Sequence, residues 1–118
     1  PGIVRLRLSG KGDNKELLQA EIAQIEDQII AQLGHHVYGF DEEALEAAIG
    51  KQLLLKNAKV GTAESCTGGT IASLLTRIPG ASRYFSGSVV SYANEVKVEA
   101  LGVKDEALVE HGAVSEVV

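Results

Sequence analysis

The chain has 118 residues, 45% of them hydrophobic, and a formal net charge of −5, enough to bury one small core or pieces of two. Its 11 Lys and Arg are scattered rather than clustered, which argues against nucleic acid as a partner, because neutralising phosphates needs a basic patch. Cys66 is the only cysteine, so no intrachain disulfide can form and no Cys/His cluster suggests zinc; no apolar run approaches the roughly 18 residues of a membrane span. A cytoplasmic protein with no metal, no cofactor and no membrane contact is expected.

Residues 3–10, "IVRLRLSG", alternate with Val4, Leu6 and Leu8 on one side and Arg5 and Arg7 on the other, the period of a half-buried strand. Leu18, Ile22, Ile25, Ile29 and Leu33 then follow helical spacing between an Asp13 or Asn14 cap and Gly34. "HHVYGF" predicts a short strand and turn, and a second helix capped at Asp41 carries Leu45, Ile49 and Leu53 on one face. A boundary near Phe40 divides a small α+β segment (1–40, strand, helix, strand) from a second domain (41–118). There the pattern is strand ("KVGTAE"), Gly-rich turn ("SCTGG") and helix ("TIASLLTRI", stopped by Pro79 and Gly80). A strand ("FSGSVVSYA"), a helix ("NEVKVEAL", capped by Asn94 and ended by Gly102) and a short helix ("DEALVE") complete it. The class is α/β.

The stretch "AESCTGG" (63–69) carries the chemistry. A strand running through a small-residue turn into a helix exposes side chains at the turn and aims backbone N–H groups outward, which suits an oxyanion or a phosphate. Ser65 and Cys66 are both candidate nucleophiles, and Cys66, Thr67, Gly68 and Gly69 are candidate donors. The plainer alternative is that Ser65, Thr67 and the glycines only cap and pack a helix start. The stretch is neither a Walker loop, since no Lys-Ser/Thr follows the glycines, nor a GxSxG elbow. His35 and His36 lie in the other segment and His111 near a helix end, so a lysine is the remaining base. Lys97, among Val96, Val98 and Leu101, is the candidate, taking the proton directly or through Tyr92; a solvated helix face and a half-buried strand position are the plain alternatives.

"TAESCTGGTIASLLTRIPGASRYFSGSVVSYANEVKVEALGV" with the later "HGAVSE" closely resembles the CinA C-terminal domain, the nicotinamide-nucleotide amidase family, over roughly residues 44–118. Residues 1–40 resemble the end of the middle domain that precedes it in full-length CinA proteins. The resemblance implies a three-layer α/β/α amidase domain that deamidates nicotinamide mononucleotide to nicotinic acid mononucleotide and ammonia. It makes Ser65, in the ESCTGG motif, the nucleophile, and Tyr92 and Lys97, in the YxNExK motif, its assistants. Glu64 is expected to orient Lys97 or Asn94, or to favour the helix dipole; Asn94 is a cap first, and Arg77 and Arg83 are more simply solvated than phosphate ligands. The family's domain continues beyond "GAVSE", and a further domain linked to ADP-ribose pyrophosphatase activity precedes its middle domain. The chain is therefore expected to be incomplete at its C-terminus, to hydrolyse slowly by itself, and to self-associate, as a dimer, over an exposed strand edge. An inactive fragment or a nucleotide-binding interaction module is the competing expectation.

Overall fold

In a computed structural model the chain is described over residues 2–118 and divides into two compact units, Pro1–Tyr38 and Gly39–Val118.

The first unit is built on one helix, α1 (Lys15–Leu33). Asn14 caps it, its side chain accepting the Leu17 N–H at 3.0 Å, which satisfies one of the free donors of the first turn. Gly34, at φ 53°, ends it by returning its N–H to the Ile30 carbonyl, a conformation that glycine adopts without a Cβ penalty. The alternation at 3–10 does not produce a strand. No other strand lies among the described residues of this unit to pair with it, and an unpaired extended segment has no ladder to stabilise it. Gly10 and Gly12 lie against Leu18 of α1 instead. "HHVYGF" is also not a strand: Gly34–His36 form a single 3-10 turn, closed by the Val37 N–H on the Gly34 carbonyl. This unit is thus helical where strand, helix and strand are expected.

The second unit runs α2 (Leu45–Leu55), β1 (Val60–Glu64), α3 (Thr70–Thr76), a 3-10 turn (Ala81–Arg83), β2 (Phe85–Val90), α4 (Asn94–Leu101) and α5 (Asp105–His111). β1 and β2 are parallel neighbours, with Thr62 opposite Ser88 and Glu64 opposite Val90, and one irregularity of register between Val60 and Gly61. A parallel pair needs a crossover, and α3 supplies it while packing on both strands. The α/β class holds. α2 does not start at an Asp41 cap. Asp41 sits in a turn at φ 52°, and the cap position is Ala44, which offers no side-chain acceptor. Nor is the α2 core face the Leu45, Ile49, Leu53 stripe: Leu45 and Ile49 are exposed and the buried residue is Gly50. No helix of the described residues is long and apolar enough to cross a membrane.

Tyr84 explains the glycine. It is the most deeply buried large side chain, 1% exposed, and its hydroxyl donates to the Leu75 carbonyl of α3 at 2.9 Å. A Cβ on Gly50 would lie 2.8 Å from the Tyr84 ring, so α2 approaches the ring only because residue 50 has no side chain. Alanine in a helix interior is ordinarily favoured over glycine by about 1 kcal/mol. Overpacking a filled core costs about 1–3 kcal/mol, and here the obstacle is a rigid ring rather than a flexible chain end. Gly50→Ala is therefore expected to lower stability despite its better helix propensity, and chemical denaturation of the two proteins checks the sign.

Candidate active site

Ser65 is the first residue after β1, and the turn that follows owes its shape to two consecutive glycines in the left-handed region, Gly68 at φ 59° and Gly69 at φ 93°. Residues with a Cβ are strained there, and at Gly69 a Cβ would also crowd Val90 at 3.2 Å. The Gly68 N–H closes the turn on the Ser65 carbonyl at 2.9 Å. The Ser65 side chain is half-buried.

Lys97, on α4, is 4% exposed. Its Nζ donates to Ser65 Oγ at 3.1 Å and to the backbone carbonyl of Ser91. Half-buried Val96 and Val98 flank it in sequence, and no ion pair joins it to a carboxylate among the described residues. The pairing expected from sequence is thus a direct contact across 32 residues of chain. Tyr92 is 71% exposed and no hydrogen bond joins it to either residue among the described residues, so the contact matches the direct of the two expected routes. Asn94 is exposed and is the first residue of α4 rather than its cap; the cap position is Ala93. Gly102 at φ 72° ends α4.

The Glu64 carboxylate bonds to neither Lys97 nor Asn94. Its side chain is 3% exposed and turns to the start of α3: Oε2 accepts the Ile71 N–H at 2.9 Å and the Thr67 hydroxyl at 2.9 Å, and Oε1 accepts the Ala72 N–H at 2.8 Å. Thr62 and Ser88 hydroxyls reach Oε1 at 3.3 and 3.5 Å. Burial pushes the carboxyl upward, but the hydrogen bonds from Ala72, Ile71, Thr67 and Thr62 outweigh it and hold Glu64 below the ordinary carboxylate range. A group lowered on folding stabilises the protein above its unfolded value, and that stability is lost as pH falls through the folded value. The difference in melting temperature between the wild type and Glu64→Gln is accordingly expected to be largest near neutrality and to shrink on acidification. Paired melts across that range check it.

The donors available near Ser65 follow by subtraction. The Gly68, Thr70, Ile71 and Ala72 N–H groups are taken by Ser65, Thr67 and Glu64. Those of Cys66, Thr67 and Gly69 have no partner among the described residues, so Gly68 drops out of the expected donor set. Cys66 is exposed. The Thr67 hydroxyl is bound to Glu64, and Thr70 returns its own to the Thr67 carbonyl at 2.6 Å. Arg83 lies in the 3-10 turn, and Arg77 sits at the far end of α3, about 10 Å along the helix axis from its start; both are exposed. His111 is exposed beside Glu110 at 3.7 Å, and the His35 and His36 rings lie 4.1 Å apart in the first unit. Within the second unit, no hydrogen bond joins His111 to Ser65 among the described residues. Among the described residues no cluster of three His, Cys, Asp or Glu could hold a metal ion. An open depression at the α4–α5 junction, lined by residues including Leu101, Val103 and Val117, contains none of these groups.

Ser91 carries no motif signal of its own, yet it is 4% exposed and joins the two halves of the site. Its N–H and hydroxyl both donate to the Glu64 carbonyl, at 2.7 and 3.3 Å, while its carbonyl receives Lys97. Only the three-dimensional return of β2 beside β1 brings it there.

A parallel βαβ unit with a serine on the strand-to-helix turn and a buried lysine on that serine defines the class: an α/β protein with a Ser–Lys pair. The family model for the CinA C-terminal domain matches residues 42–118, and the chain belongs to that family. It is 52% identical over 115 residues to a CinA-like protein of Cytophaga hutchinsonii, covering 98% of this chain and 28% of that protein. It is 48% identical to a putative competence-damage inducible protein of Clostridium perfringens, with 96% and 27% covered. The chain thus spans little more than a quarter of these relatives. Among solved structures, the competence/damage inducible protein CihA from Agrobacterium tumefaciens is similar with a TM-score of 0.61 and 41% identity, over 69% of this chain and 49% of that one. A CinA superfamily protein from Escherichia coli aligns with a TM-score of 0.59 and 26% identity, over 72% and 52%.

Proposed function

We propose that this chain carries the Ser–Lys centre of a nicotinamide-nucleotide amidase, which hydrolyses the carboxamide of nicotinamide mononucleotide to nicotinic acid mononucleotide and ammonia. One observation carries the chemistry: the Lys97 amine, removed from water, lies 3.1 Å from the Ser65 hydroxyl. The substrate comes from the resemblance of the ESCTGG and YxNExK segments to that family. In its uncharged form Lys97 takes the Ser65 proton as Oγ attacks the carboxamide carbon. The oxyanion accepts from the free N–H groups of Cys66, Thr67 and Gly69. Lys97 then returns the proton to the leaving nitrogen, and ammonia departs from the acyl-enzyme. Water, deprotonated by Lys97, attacks the ester; the carboxylate product leaves and Ser65 regains its proton. Tyr92, 71% exposed, carries no step of this scheme.

Ammonia release from nicotinamide mononucleotide by the full-length protein, followed alongside binding, tests this. Release that disappears with Ser65→Ala is expected. Saturable binding without release would favour the nucleotide-binding module.

A further inference from the structure

We propose that Glu64 is a positioning residue for this reaction, fixing the Ser65 turn through its buried carboxylate and touching no substrate. The proposal rests on the assignment of Ser65 and Lys97 as nucleophile and base. α3 is capped in an unusual way. Its cap position is Gly69, which has no side chain to offer, although Ser, Thr, Asp or Asn there would cap a helix at once. The acceptor comes from the strand instead. Glu64 reaches past the whole turn to take the N–H groups of Ile71 and Ala72, seven and eight residues on, and pins the turn midway through the Thr67 hydroxyl. A carboxylate is expensive to bury unless its oxygens are fully bonded, and both of these are. Residues 65–70 are thereby held as a closed loop between two fixed points.

The backbone of the same residue fixes the other side of the site. Its carbonyl is held by the Ser91 N–H and hydroxyl, and the Ser91 carbonyl holds Lys97 Nζ. Glu64 is therefore the joint between nucleophile and base. Its carboxylate also occupies the Ile71 and Ala72 N–H groups of the first turn of α3, so those two donors are closed to a second anion. The oxyanion is left to the N–H groups of Cys66, Thr67 and Gly69, whose orientation is set by the loop that Glu64 closes. A displacement of about 1 Å in such donors costs on the order of 100-fold in rate.

Glu64→Gln is nearly isosteric, but its amide nitrogen must face a donor that the carboxylate accepted. In the full-length protein we expect kcat to fall about 10- to 100-fold with KM within about twofold. Labelling of Ser65 by a fluorophosphonate, which needs an activated serine but no particular substrate, should slow by a similar factor. Thr67→Val, which removes a single hydrogen bond to the carboxylate and buries no charge, should lower both rates about fivefold. A folded Glu64→Gln protein with wild-type kcat and labelling would overturn the proposal, as would a rise in KM at constant kcat, the mark of a substrate ligand. Should Glu64→Gln fail to fold, Thr67→Val decides: wild-type rates for it overturn the proposal. Labelling of the wild type without ammonia release would count against the amidase reading alone, and the labelling rates of the two variants would still decide the role of Glu64.

Discussion

Replacing Ser65 with alanine is expected to abolish ammonia release, by a factor on the order of 10⁶ on the scale set by other serine nucleophiles, while Cys66→Ala retains most activity. The two residues are neighbours in sequence, and a thiolate is intrinsically the better nucleophile. Geometry separates them. Ser65 Oγ has the Lys97 amine at 3.1 Å, and its backbone is pinned by the Gly68 N–H. The Cys66 side chain is exposed and has no partner among the described residues. In the proposed scheme Cys66 contributes its backbone N–H, and alanine keeps that donor. The measurement is ammonia release from nicotinamide mononucleotide by the wild type and both single variants, with melting temperatures to show that each is folded. Loss of turnover in Cys66→Ala with Ser65→Ala active would transfer the covalent step to the thiol.

The helices, the strands of the second unit and the Ser–Lys pair were legible because each rests on local pattern or on a motif. The helical spacing from Leu18 to Leu33, the Asn14 cap and the Gly34 stop are properties of one segment, and α1 forms as they require. The "IVRLRLSG" alternation has the right period, yet a strand exists only if a second strand accepts its hydrogen bonds, and one sequence cannot guarantee that partner. The same gap hid Tyr84 and Gly50. Nothing in "KQLLL" or "SRYFS" announces that a ring will press on a helix glycine, because that contact depends on how α2 meets the βαβ unit. Ser91 was missed because its contribution is mainly through its backbone, whose N–H and C=O are the same in every non-proline residue. Glu64 was visible as a charge at a strand end, but its partner was not: its carboxylate bonds to backbone groups seven and eight residues on, and backbone groups leave no trace in composition.

Substituting Lys97 separates a base from a mere positive charge. Lys97→Met keeps an unbranched stem of similar length in a site that is 4% exposed, so the fold should survive, with the Ser91 carbonyl losing its donor. Removing a general base costs about 10²- to 10⁴-fold, and kcat is expected to fall by at least 100-fold. Lys97→Arg is the sharper test. The guanidinium keeps the charge and can still donate to Ser65 and to the Ser91 carbonyl, but it does not give up a proton in proteins and so cannot accept one from a hydroxyl. If Lys97 works as a proton acceptor, the arginine variant is as inactive as the methionine variant. If it works only as a fixed positive charge holding Ser65 or the oxyanion, arginine restores a substantial share of the rate. Steady-state kcat for the wild type and both variants, with melting temperatures alongside, decides between them. Wild-type turnover in Lys97→Met would remove Lys97 from the reaction and leave its contact with Ser65 a structural one.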